Sequence, residues 1–378
     1  MPVGRCGAPA SGVDVVEERQ PWALYHQRMR RAAEIAAQVF TARDALLRDT
    51  PEDLRVAFLL FDSAAETLMV RRIDSLFLFH LRDWGGHPSP PWRESVAVDL
   101  NDSGQKARLE AAASTGFVHW QLSATQRRDV DRDFESKLRL LAWDAAIPPE
   151  YVPVIGRLHA YRNEMYHRDE SRPNALRIGV HLYAWLVADL LDRLKPNWMG
   201  YSSADPDDLE QRTYARMGTS EVSTTLERFD EGFSIQSRMA DALRSGIDLS
   251  TAPELLADYA CERTNDLHDS IRYAGTFIRD TQGLEKVSEM DVVRLIYSTD
   301  PMKGIEELRG FKAPITRAMI QRWDDWPEQI RLAGDPVEAF RSLATFEASF
   351  EEFEAKVREL ARAVEEEIQL RMDIARGK

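Results

Sequence analysis

Apolar side chains recur at three- and four-residue steps along almost the whole chain, a period that admits little except α-helices packed on one another. The clearest run is Phe346, Phe350, Phe353, Val357, Leu360 and Val364, one stripe on a helix predicted over 336–375. Such a seam is covered either by other helices of the same chain or by a partner subunit. The same period predicts helices over 22–47, from 51 through the run RVAFLLFDSAAETLMVRRIDSLFLFHL, and over 126–143, 153–168 and 175–194. Further on it predicts helices over 208–216, 220–245, 252–281, 288–297, 302–310 and 314–332. Start signals accompany several of them: Thr50-Pro51 before two acids, and the capping-box patterns Ser123…Gln126 and Thr251…Glu254. The fold class expected is all-α.

The period fails at three places. Residues 1–20 are expected to form a disordered lead-in. Over 83–122 the sequence turns to Gly, Pro and Ser, with two β-prone runs, SVAVDL and GFVHWQL, around a short helical piece; an inserted loop with a small hairpin is expected there. The stretch KPNWMGYSSADPDD combines Pro, Gly, Ser and Asp and marks a boundary between a helical domain over 21–195 and a second over 205–378. The second domain, with the long last helix, is expected to regulate or to dimerise.

Charge supports that division. The net charge is −14, but the chain up to Lys195 holds 26 basic and 27 acidic residues, so nearly all the excess acid lies beyond it. An even acidic coat would repel RNA, whereas a near-neutral front half does not. Two cysteines, Cys6 and Cys261, make neither a disulfide framework nor a zinc site. The longest apolar stretch, 175–191, is interrupted by Arg177, His181 and Asp189 and reads as a core helix. A cytoplasmic protein without a membrane partner is expected. Gly-rich phosphate loops, nucleophile elbows and paired-carboxylate motifs do not stand out, so no cofactor is expected.

One segment carries chemistry. In LHAYRNEMYHRDE, Arg162, Asn163 and His167 form R-N-x-x-x-H. On a helix Asn163 and His167 share a face, so the amide can orient the imidazole, and the long Arg162 side chain reaches the same point. His159 extends the stripe by one more four-residue step, as a supporting candidate. No further ligand stands at metal spacing beside it, so no metal is expected. Histidine titrates near neutrality and can move a proton to or from a ribose or leaving oxygen, and arginine stabilises charge on phosphoryl oxygens. One imidazole makes one proton transfer at a time, so a second copy of the motif from another subunit would complete the set. With 41 arginines in the chain, the Arg-to-His spacing also arises by chance. Arg263 and His268, on the helix predicted over 252–281, are second-site candidates, which would make the chain a pseudo-dimer.

The surroundings of Arg162 and His167 resemble the HEPN family, a helical-bundle fold found in bacterial toxins and defence ribonucleases. The resemblance covers roughly residues 50–195: the long helix LLFDSAAETLMVRRID with its Ala64-Ala65-Glu66 step, the helix ending KLRLLAWDAAIPPE, then LHAYRNEMYH and a closing apolar helix. It implies that Arg162 and His167 are catalytic, that Asn163 positions the His, and that Glu66 approaches from the first core helix. It further implies a homodimer with pooled motifs and metal-independent cleavage of RNA to 2′,3′-cyclic phosphate ends. The expected function is thus an RNA endonuclease of toxin or antiphage type, with an antitoxin or activating protein as a further partner. The alternative is a non-catalytic helical module that binds RNA, a nucleotide or a protein.

Overall fold

A computed structural model describes residues 21–79, 95–112, 119–168, 173–195, 211–212, 215–216, 227–298 and 304–377. The expected lead-in over 1–20, most of the helix expected over 208–216 and all of the expected boundary beyond Lys195 lie outside them. Among the described residues there are thirteen helices and one two-stranded sheet, so the all-α expectation holds. The front half contains α1 (Pro21–Arg48), α2 (Pro51–Phe79), α3 (Gln105–Ala112), α4 (Ala124–Arg132), α5 (Phe134–Trp143), α6 (Tyr151–Arg168) and α7 (Pro173–Arg193). The back half contains α8 (Glu227–Arg244), α9 (Ala252–Gln282), α10 (Glu289–Ile296), α11 (Ile305–Leu308), α12 (Arg317–Arg331) and α13 (Pro336–Ala375). No helix among the described residues is long and apolar enough to cross a membrane.

α2 is the axis of the front half. It packs against α1, α5, α6 and α7, which is why its sequence is apolar on more than one face. Phe58, Phe61, Ala64, Ala65, Leu68 and Met69 are all buried, the two alanines allowing close approach of neighbours. In the back half α9 lies against α12 and α13. The stripe of α13 is spent inside the chain: Phe350 and Phe353 meet the Trp323 ring at 5.4 and 5.6 Å, and Phe346 meets Trp326 at 6.1 Å. The phenylalanines of the seam are therefore covered by the chain's own helices. The halves themselves are joined, α7 packing on α8 and α9, and α6 on α13, with one cluster of buried residues running through both.

Local chemistry explains where the observed elements differ from the predicted ones. The single helix expected over 126–143 is two, because Asp133 adopts an extended conformation, ends α4 and caps α5 by accepting from the Ser136 amide at 2.7 Å. The Ser123 and Gln126 capping box forms with both of its bonds. Thr251 makes no side-chain cap, since its backbone (φ −97°, ψ 5°) is not in the extended form that aims the hydroxyl at the first turn. A box that the sequence reading missed, Ser288 with Asp291, opens α10.

The insertion also differs from expectation. Its two β-prone runs do form strands, β1 (Ser95–Ala97) and β2 (His119–Gln121), but they pair in parallel, not as a hairpin. With α3 between them, the chain returns to the same end before re-entering the sheet, as a parallel pair requires. Trp120 of β2 packs edge-on against Trp143 of α5 at 4.9 Å, and the buried Asp144 binds Arg72 of α2 at 2.7 Å and Lys106 of α3. The described part of the insertion is thus bound into the front core.

One buried polar cluster joins the halves. Glu347 of α13 is fully buried and accepts from four side chains. From α6 come Arg157 Nε at 2.7 Å and the Tyr161 hydroxyl at 2.6 Å. From α9 come Arg263 Nη1 at 2.6 Å and the Tyr259 hydroxyl at 3.4 Å. Arg263 also grips Glu354 of α13 through Nε at 3.1 Å and Nη2 at 2.5 Å. A buried carboxylate is tolerated only with such partners, so this cluster pins the relative position of three helices.

Candidate functional site

The polar face of α6 turns toward α2, and what meets it there is an acid within an otherwise apolar stretch. Asp62 is 2% exposed. Its Oδ1 accepts from the Tyr183 hydroxyl of α7 at 2.7 Å and from His159 Nδ1 at 2.9 Å, while Arg162 Nε stands 3.6 Å from Oδ2. A carboxylate can only accept, so Nδ1 of His159 is the donor of that bond, and in the neutral imidazole the lone pair falls on Nε2. Burial, reinforced by the Asp62 carboxylate, pushes the Tyr183 hydroxyl well above its ordinary value and keeps it a donor. The His159 ring lies flat on Phe134 of α5, 3.8 Å between centroids and 7° between planes. Bonded at one edge and stacked on one face, this imidazole has a fixed orientation, yet its side chain keeps 22% of its surface in solvent.

Arg162 is held at a second point, its Nη1 donating to Asn163 Oδ1 at 2.8 Å. With a third of its side chain exposed, its guanidinium is positioned and still reachable. The structure therefore brings together Arg162, Asn163 and His159 of the predicted set. His167 lies in the last turn of α6, and its side chain is outside the described residues. Asn163, expected to orient His167, has its amide oxygen on Arg162.

Glu66, the acid expected to approach the site from α2, pairs with Lys137 of α5 at 3.3 Å and is half-buried. The acid that reaches Arg162 and His159 is Asp62, one turn earlier. The signal for it was in the sequence: Asp62 is the single charge in VAFLLFDSAA, and it stands four residues before Glu66 on the same face. Only packing shows that this charge is the buried one.

The second-site candidates are not brought together. Arg263 is 6% exposed and committed to Glu347 and Glu354 inside the core. His268 lies between Glu289, 2.8 Å from Nδ1, and Asp324, 2.8 Å from Nε2. Burial pulls its proton affinity down, but the two carboxylates outweigh burial and raise it above the ordinary value. Both nitrogens are thereby occupied, and the guanidinium that would complete the motif points into the protein. The reason is positional: α9 is the central helix of the back half, so a pattern on it falls partly in the core.

No protein-family model, curated protein or solved structure matches this chain.

Proposed function

We propose that this chain is an RNA endonuclease of the toxin or antiphage-defence type, cutting by internal attack of the ribose 2′-hydroxyl with Arg162 and His167 as its catalytic residues. The observation that carries the reading is the Asp62 carboxylate, which gathers His159 and Arg162 on the same stretch of α6 that bears R-N-x-x-x-H. A guanidinium bonded to Asn163, lying beside the Asp62 carboxylate and partly open to solvent suits a phosphodiester, whose charge rises on the phosphoryl oxygens during cleavage. The R-N-x-x-x-H segment, with its resemblance to the HEPN motif, supports the same chemistry. Purified full-length protein is expected to cleave total RNA in excess EDTA, leaving 2′,3′-cyclic phosphate ends, and the His167→Ala and Arg162→Ala proteins are expected not to. Equal cleavage by all three overturns the reading. RNA binding without cleavage by the wild type supports the second reading, a helical binding module that uses the same guanidinium as an anion clamp.

Control of this activity through the C-terminal half belongs to the same proposal. Tyr161, the neighbour of Arg162 in sequence, is bonded to Glu347 of α13, so a partner that moves α13 moves α6. Because the two halves share one core, deleting 200–378 would expose that core and test folding, not control. Glu347→Gln keeps the side-chain volume while weakening the grip on α6, and it is expected to change the cleavage rate through α6 placement.

A further inference from the structure

Cleavage by internal attack needs two proton transfers, one from the 2′-hydroxyl and one to the leaving 5′-oxygen. Arg162 supplies charge but no proton at neutral pH, and His167 supplies one transfer. The other must come from a second copy of the chain or from another group of the same chain. Five of the six residues of the α13 seam that would have argued for a second copy are buried within the chain. His159, by contrast, is already built as a proton-transfer group. We infer that His159, oriented by Asp62 and Tyr183, is the second catalytic imidazole, so that each protomer carries a complete acid–base set.

The inference rests on the endonuclease reading and deepens it. Three observations carry it. First, the bond from Nδ1 to a carboxylate that is 2% exposed fixes the tautomer and presents the lone pair of Nε2, the arrangement that makes an imidazole a general base. Second, stacking on Phe134 holds the ring plane, so the direction of that lone pair is set before substrate arrives. Third, the order along α6 is His159, Arg162, His167. Eight residues of helix span about 12 Å, with Arg162 between the ends. In-line displacement needs a base on one side of phosphorus, an acid on the other and a cation between them, each proton carrier within about 3 Å of its oxygen, so the reading requires both imidazoles to lean toward Arg162.

The step balances without any further reactant. Nε2 of His159 takes the proton of the 2′-hydroxyl as the O2′–P bond forms. Arg162 carries the charge on the non-bridging oxygens. The P–O5′ bond breaks and the departing O5′ takes the proton of the His167 imidazolium. The products are a 2′,3′-cyclic phosphate and a 5′-hydroxyl, with one proton moved from His167 to His159 for solvent to return.

The test is the pH–rate profile of the full-length protein on a fluorophore-labelled single-stranded RNA of mixed sequence, in excess EDTA, with thermal melting of every variant alongside. The wild type is expected to give a bell-shaped profile. His159→Gln is expected to lose about 10²-fold or more in rate and one limb of the bell. His159→Ala is expected to regain part of that rate when free imidazole is added, which a merely structural role would not allow. Asp62→Asn, which leaves the ring in place and loosens its tautomer, is expected to lower kcat more than it raises KM. A His159→Gln protein with both limbs and the wild-type rate overturns the inference while leaving Arg162 and His167 in place. A rate loss that imidazole does not rescue and that follows the loss of melting temperature overturns it too. Cleavage indifferent to Arg162→Ala and His167→Ala, or no cleavage by the wild type, overturns the inference and the endonuclease reading together.

Discussion

Helix α6 lies between two buried carboxylates that do different jobs. On one side Glu347 is 0% exposed and takes four donors, two of them arginines, inside a core of aromatic rings. On the other side Asp62 is 2% exposed and takes a tyrosine, a histidine and, at longer range, an arginine. The exposures of the acids barely differ. Their charged partners do: Arg263 and Arg157, on Glu347, keep 7% and 15% of their side chains in water, whereas His159 and Arg162, on Asp62, keep 22% and 33%. A carboxylate whose charged partners are the more deeply buried holds helices together, and one whose charged partners reach further into solvent holds reactive groups in place. Burial of the acid alone does not distinguish structure from chemistry; the exposure of what it binds does.

The largest expected effect tests the structural side of that contrast. Glu347→Ala takes from Arg157, Arg263, Tyr161 and Tyr259 the buried acid they share, leaving the arginines only Glu351 and Glu354, and is expected to cost about 3–5 kcal/mol in chemical denaturation. Asp62→Asn is expected to cost less, about 1–3 kcal/mol, because the amide oxygen still accepts from Tyr183 and His159, while cleavage falls far more than stability does. Should Asp62→Asn prove as destabilising as Glu347→Ala and leave cleavage intact, the two carboxylates are the same kind of device and the contrast collapses.

The smallest effect separates the two histidines. His268 has a carboxylate on each nitrogen, His159 on one only. The folded protein holds the His268 proton more tightly than the unfolded chain does, since Asp324 and Glu289 outweigh the cost of burial. Its contribution to stability is therefore fully present below the unfolded value of about 6.5 and disappears as pH rises through the raised folded value. Unfolding curves from pH 5 to 9 are expected to show wild type and His268→Gln converging at high pH, with no change in cleavage. A difference that instead grows with pH would mean that burial dominates at His268.

The sequence alone settled most of the architecture. Apolar period located the long helices to within a few residues, including α13 from Pro336, because a helix has to bury one face and only helical spacing collects that face. It also marked α6 as chemically unusual, through Arg162, Asn163, His167 and His159 on neighbouring positions. What it left open is whatever depends on residues far apart in the chain. Whether the Phe seam of α13 faced its own chain or a partner, whether two β-prone runs paired in parallel, and whether Arg263 stood at the surface or in the core are decided by which helix lies opposite. So is the place of Asp62, 97 residues from His159 and 121 from Tyr183. Local spacing reports the face a side chain occupies; only tertiary packing reports what that face meets, and the chemistry of a buried acid is set by the groups it meets.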